Sequence, residues 1–170
     1  MIVRVSEIPE QGLEVEGAAS LKRGFADPSW RLEDLSLRVE KDDDVVFVSG
    51  RLVAQVPQVC GRCLEPFEVT VEPVVEARFV PSSVGAGEER ELGADDLETD
   101  GYDGDQLDLG LLVETETSLS LPMKPLCRES CRGLCRICGG NRNLTPCTCE
   151  DSAPDPRWAP LKNLAERLSR

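Results

Sequence analysis

Eight cysteines stand in four close pairs: Cys60-x2-Cys63, Cys127-x3-Cys131, Cys135-x2-Cys138 and Cys147-x-Cys149. A gap of one to three residues lets the backbone turn back so that two sulfurs reach one tetrahedral ion at about 2.3 Å. Four pairs supply the ligands of two four-thiolate sites. Gly61 inside the first pair and Gly139-Gly140 after the third provide the tight turns such knuckles need. All-thiolate donors favour zinc, and a site with four protein ligands holds a fold together instead of activating water. The expectation is therefore structural zinc, held by Cys60, Cys63, Cys127, Cys131, Cys135, Cys138, Cys147 and Cys149.

Spacing leaves the partition between sites open. Cys135, Cys138, Cys147 and Cys149 would close one site over a short loop, leaving Cys60 and Cys63 to meet Cys127 and Cys131. The rival grouping joins Cys127, Cys131, Cys135 and Cys138 locally. An iron–sulfur cluster also takes four thiolates, but these spacings match no ferredoxin pattern. A third alternative makes Cys60-Gly61-Arg62-Cys63 a dithiol redox pair, with Arg62 lowering a thiol pKa. Against it, the motif falls between strand patterns and does not open a helix.

Composition excludes other chemistries. There is no histidine, hence no Ser-His-Asp or Cys-His pair and no imidazole ligand. Nineteen Lys and Arg stand against 32 Asp and Glu, a net charge of −13, and aromatics are 4%. That is too acidic for a simple coat on phosphate backbones and too poor in rings for stacked base platforms. The first residues show no basic stretch followed by an apolar run, and no segment has about 18 apolar residues in a row. A cytoplasmic location follows as an expectation, and reduced thiols there favour metal over disulfides.

The elements that must position the cysteines are read from periodicity. Leu35, Leu37 and Val39 alternate with polar residues, as do Val46, Val48, Gly50, Leu52, Ala54 and Val56. Phe67, Val69 and Val71 do the same, then Val75, Ala77 and Phe79. This period of two predicts half-buried antiparallel strands over residues 1–80, with Cys60-x2-Cys63 as a knuckle between two of them. Asp42-Asp43-Asp44 reads as a turn, and Pro73 predicts a bulged or edge strand. Residues 8–34 read as loops around short pieces.

Residues 81–105 read as an acidic flexible loop, since ten acidic residues face one Arg between Glu88 and Asp108. Asp100-Gly101-Tyr102-Asp103-Gly104-Asp105 lacks the spacing of a calcium loop. Residues 106–122 are predicted as a helix, with Asp108 as N-cap, Leu109, Leu112, Val113 and Leu119 at helical spacing and Pro122 as its stop. Residues 123–150 form the Cys-rich module. The tail, 151–170, predicts a short helix with Leu161, Leu164, Ala165 and Leu168 on one face, and Trp158 before it as a packing residue. The fold class expected is α+β: a mainly antiparallel β domain, a Cys-rich zinc-binding C-terminal module and one or two short helices.

Cys60-Gly61-Arg62-Cys63-Leu64-Glu65-Pro66-Phe67 resembles the signature of the bacterial YceD family, the large ribosomal RNA subunit accumulation proteins. The later order is also similar: Gly104-Asp105-Gln106-Leu107-Asp108-Leu109, then Leu121-Pro122, then Cys127-x3-Cys131-Arg132-Gly133-Leu134-Cys135-x2-Cys138-Gly139. Asn141, Asn143, Cys147-x-Cys149 and Asp155-Pro156-Arg157 with Leu161 and Leu164 complete a likeness covering roughly residues 1–168. Where the family usually has Pro inside the third cysteine pair, Arg136 stands here. The resemblance implies a non-enzymatic factor in accumulation of 23S ribosomal RNA and assembly of the large ribosomal subunit.

Charge is compatible with a limited RNA contact. Residues 121–149 hold Lys124, Arg128, Arg132, Arg136 and Arg142 against Glu129, though eight zinc-bound thiolates would offset that excess. These residues and Arg62 are the candidate contacts to large-subunit ribosomal RNA or a precursor particle. The competing expectation is an adaptor that uses its acidic surface to hold a basic ribosomal protein without touching RNA.

Overall fold

The computed structural model describes residues 1–21, 25–82, 93, 99–149 and 157. Two compact units emerge: Met1–Gln58 with Pro66–Pro125, and Val59–Glu65 with Leu126–Arg170. In chain order the elements are β1 (Ile2–Arg4), β2 (Leu13–Glu16), β3 (Arg31–Asp42), β4 (Val45–Val59), β5 (Pro66–Val71), β6 (Val74–Pro81), β7 (Thr99–Tyr102), β8 (Gln106–Asp108) and α1 (Leu109–Ser120). The main sheet has the order β2-β3-β4-β6-β7, with β5 also against β4, while β1 and β8 form a small antiparallel pair. The pairing between β6 and β7 is parallel. Among the described residues the fold is thus a mainly antiparallel sheet with one α-helix, in line with the expected α+β class.

The period-two pattern sets the inner face of the first unit. Leu35, Leu37 and Val39 of β3 and Val46, Val48, Leu52, Ala54 and Val56 of β4 are buried. Their register places Val39 opposite Val48 and Leu35 opposite Leu52, so like faces coincide. A bulge between Leu32 and Asp34 reverses the parity of β3, which lets Leu32 join the same core as Leu35. Gly50 sits opposite Leu37, and a Cβ there would come within 2.1 Å of the Ser36 carbonyl oxygen.

Pro73 marks a break between two segments of one return strand. β5 and β6 both run along β4, interrupted at Glu72-Pro73. Proline has no N–H to donate, yet its carbonyl stays in the ladder and accepts from Leu52 N at 3.3 Å.

Two expectations are corrected. β7 lies within the span read as loop: its four residues Thr99–Tyr102 pair with Arg78–Pro81 of β6. Tyr102 anchors it, packing against the core and donating its hydroxyl to the Asp44 carbonyl at 3.0 Å. On α1, Asp108 is the N-cap, accepting from Gly110 N and Leu111 N at 2.9 and 3.4 Å. Leu109, Leu112 and Val113 are buried, but Leu119 is exposed and Thr117 takes the inward place. Thr117 can do so because its hydroxyl donates to the Val113 carbonyl at 2.7 Å. Asp105, at the end of the acidic run, is an internal acceptor for the Ser6 hydroxyl and amide, which hold its carboxyl below the usual range.

Most of the acidic segment, Trp158 and the helix expected over 160–168 lie outside the described residues. Among the described residues no helix is long and apolar enough to cross a membrane.

The tight approach at Gly50 generates a test. Gly50→Ala is expected to destabilise the first unit by about 1–3 kcal/mol, since the new methyl must displace the backbone of β3. A lowered urea midpoint measures it; an unchanged midpoint would contradict the β3–β4 register.

Candidate metal centres

All eight cysteines belong to the second unit, and their thiols are free. They form two groups: Cys60, Cys63, Cys127 and Cys131, and Cys135, Cys138, Cys147 and Cys149, each with its sulfurs within 4.8 Å of one another. In the first group, Cys60 Sγ lies 3.8 Å from Cys131 Sγ, and Cys63 Sγ lies 3.8 Å from Cys127 Sγ. Sulfurs about 2.3 Å from a central ion stand about 3.8 Å apart at the corners of a tetrahedron. A disulfide would need about 2.05 Å. The spacing suits one ion and leaves no room for an inorganic iron–sulfur core. The local grouping of Cys127, Cys131, Cys135 and Cys138 does not form.

Two knuckles share one backbone design. In the first, Leu64 N donates to Cys60 O at 2.9 Å and Cys60 N donates to Glu65 O at 3.0 Å. In the second, Gly139 N donates to Cys135 O at 2.9 Å and Cys135 N donates to Gly140 O at 2.8 Å. The residue after each second cysteine is left-handed: Leu64 with φ 61° and Gly139 with φ 70°. Glycine takes that conformation freely, whereas leucine pays about 1–2 kcal/mol. The first knuckle therefore carries strain where the second does not.

Backbone and amide donors brace the sulfurs. Ile137 N points at Cys135 Sγ at 3.5 Å, and Asn143 Nδ2 at Cys131 Sγ at 3.3 Å. Asn143 Oδ1 also accepts from Arg132 N at 2.8 Å, and Asn141 Nδ2 reaches Glu65 Oε1 at 3.2 Å. Such outer partners orient ligands and tune their charge. The two asparagines were visible in the sequence only through the family likeness; their spacing carries no signal of this role. Arg62 is a brace as well, donating from Nη1 to the carbonyls of Glu129 and Cys131, both at 3.0 Å.

Crowding splits the titration of each group. The backbone amides of Cys127 and Cys63 lower Cys60 to about 6, and those of Cys138 and Ile137 lower Cys135 to about 6. Burial and the sulfurs of Cys60, Cys131 and Cys63 push Cys127 up to about 12. Cys149 is likewise pushed up to about 12, chiefly by Cys138. Without a cation, Cys60 and Cys135 form thiolates readily, whereas Cys127 and Cys149 resist. A bound divalent ion reverses that repulsion. The groups differ in exposure: Cys60, Cys63 and Cys131 are buried, whereas Cys138 and Cys149 are exposed. Burial of both Cys60 and Cys63 opposes a dithiol redox role, which needs an accessible thiolate.

The arginine candidates separate. Arg62, Arg132, Arg136 and Arg142 line one groove of about 930 Å³, together with Gly61, Gly133 and the sulfur-bearing wall of Cys135, Cys147 and Cys149. Arg128 is exposed but outside that lining, and Lys124 belongs to the first unit.

Fold and centres define a small β-sheet protein with an appended pair of four-thiolate clusters. The chain belongs to the YceD family: the family model described as large ribosomal RNA subunit accumulation protein YceD matches residues 48–165. An uncharacterised protein of Mycobacterium tuberculosis is 35% identical over 136 residues, covering 78% of this chain and 62% of the relative. An uncharacterised protein of Mycobacterium leprae is 30% identical, covering 77% of this chain and 58% of the relative. The chain thus spans less than two thirds of the length of these relatives. In Arabidopsis thaliana the chloroplastic large ribosomal RNA subunit accumulation protein YCED homolog 1 is 26% identical, covering 65% of this chain and 41% of that protein. No solved structure matches.

The split titration has a measurable consequence. A depressed thiol such as Cys60 or Cys135 stabilises the fold as thiolate above its usual range near 8.5, and that contribution is lost as pH falls through about 6. Raised thiols such as Cys127 and Cys149 act oppositely, stabilising as thiols until pH climbs toward 12. Near neutral pH each entering ion should therefore displace fewer than four protons. The count should rise toward four, and affinity fall, as pH drops through about 6. Calorimetry in buffers of different ionisation enthalpy measures the count; four protons at every pH would mean that the thiols are not packed together.

Proposed function

We propose that the chain is a non-enzymatic factor supporting accumulation of 23S ribosomal RNA and assembly of the large ribosomal subunit. The observation that carries this reading is the family match over residues 48–165. Both cysteine groups would hold structural zinc. A four-thiolate ion keeps no open position for water or substrate, so its contribution is to fix the second unit and the arginines displayed on it. Binding, protection or assisted folding of a precursor particle is the mode of action that suits such a surface. The cytoplasm, with its reduced thiols, suits these ligands.

A second reading is favoured by one feature of the first unit. A cleft of about 580 Å³ is lined by Asp100, Asp103, Asp108 and Glu116 beside Tyr102 and Leu111, with no Lys or Arg in its wall. Its charge complements a basic ribosomal protein, the partner of an adaptor that does not touch RNA.

Two measurements test the leading reading. Freshly purified, reduced protein should contain two equivalents of zinc, and the paired change Cys60→Ser with Cys63→Ser should leave one. Absence of metal from intact reduced protein would remove the structural role. Depletion of the chain should lower mature large subunits and 23S RNA in sedimentation profiles while small subunits persist. Balanced subunits after depletion would overturn the assembly role.

A further inference from the structure

We infer that the arginine-lined groove of the second unit is a binding site for the phosphodiester backbone of single-stranded or looped RNA, contacted by Arg132, Arg136 and Arg142. This inference rests on the reading of the chain as a ribosomal RNA factor and gives that reading an address.

Three observations carry it. The first is convergence: Arg132, Arg136 and Arg142 of one eleven-residue stretch line one cavity of about 930 Å³ together with the distant Arg62. The second is the state of the cations. In the first unit Arg4, Arg31 and Arg38 are each ion-paired with a glutamate, whereas Arg51 and Arg78 are not, among the described residues. Among the described residues Arg132, Arg136 and Arg142 form no ion pair, although the chain carries an excess of 13 negative charges. In a protein so rich in carboxylates, three guanidinium groups that line one groove without an ion pair are placed for an anion from outside. Residues 59–65 and 126–149 contain five arginines and only two glutamates.

The third observation is that the arginine side chains are not spent on hydrogen bonds to the sulfurs that share the groove. The hydrogen bonds to sulfur among the described residues come from Ile137 N and Asn143 Nδ2, not from an arginine side chain. Arg62 differs from its neighbours. Its Nη1 is committed to the carbonyls of Glu129 and Cys131, which makes it a positioning residue for the groove wall. The groove is also not built for bases. Its lining has no aromatic ring, so stacking, the usual source of base affinity on single strands, is missing and backbone charge must dominate. Guanidinium forks match phosphate oxygens in pairs. Contact with a few phosphates also resolves the conflict between an acidic chain and an RNA partner, since attraction is confined to one patch.

The test uses the whole 170-residue chain loaded with zinc and a fluorescently labelled single-stranded RNA oligonucleotide of mixed sequence. Three phosphate contacts on a single strand give a slope of log affinity against log salt of about −2. The triple variant R132A/R136A/R142A should bind at least about tenfold more weakly and with a flattened slope. Its zinc content should be retained, and Arg128→Ala should bind like the native chain. Should the triple variant lose zinc, the single variants decide: each should reduce the slope by about 0.7 without loss of metal. Unchanged RNA affinity in the triple or single variants overturns the inference. So does a native chain that ignores RNA and captures only ribosomal protein. The broader reading fails separately: if depletion leaves large subunits intact while the groove variants still lose RNA, the site stands without that role. If depletion removes large subunits and the groove variants bind RNA normally, the role stands without this site.

Discussion

Four sulfurs held within 4.8 Å of one another cannot all be anions unless a cation lies among them, and that electrostatic constraint governs the second unit. Among its described residues the buried apolar side chains are Cys60, Cys63, Cys131 and Cys135; Leu64, Ile137 and Leu144 are exposed. These described residues hold no aliphatic core to offset chain entropy. A metal ion held by these groups would take the place of a core, and folding free energy would become binding free energy. The backbone bonds of the two knuckles and the asparagine braces aim the sulfurs so that the coordination is available.

The first unit is held by other means. Its buried face is aliphatic, from Val3 to Val113, and needs no ion. Strand alternation alone predicts that face, because the pleat turns every second side chain inward. What periodicity could not supply is β7, whose Thr-Asp-Gly-Tyr sequence has no alternating apolar residues. Its place depends on parallel bonds to β6 and on one tyrosine hydroxyl. The inward choice of Thr117 over Leu119 was equally hidden. On a helical wheel the two flank the buried stripe about symmetrically, and a local hydroxyl-to-carbonyl bond settles the matter in favour of the polar residue.

For the centres, residue type and spacing made the candidate ligands legible, since short-range pairing of thiols has few other uses. Which pairs come together was not legible, because it depends on chain segments about 65 residues apart in sequence meeting. Nor could sequence distinguish the arginines. Arg62 looks like its neighbours in charge but is bonded to backbone, while Arg132, Arg136 and Arg142 are presented along a common groove. Charge counts see the sum and miss that division of labour.

The wide separation of Cys60 and Cys63 from Cys127 and Cys131 bears on the order of events during synthesis. A ribosome adds about 5–20 residues per second, so the first knuckle waits several seconds as an incomplete claw. The pair Cys127 and Cys131 is complete only four to seven residues ahead of Cys135 and Cys138, about 0.2–1.4 s. Chronology thus gives the distant pair a short head start over the wrong quartet, which proximity along the chain favours. The last four thiols, emerging within a span of fifteen residues, then have only each other left to choose.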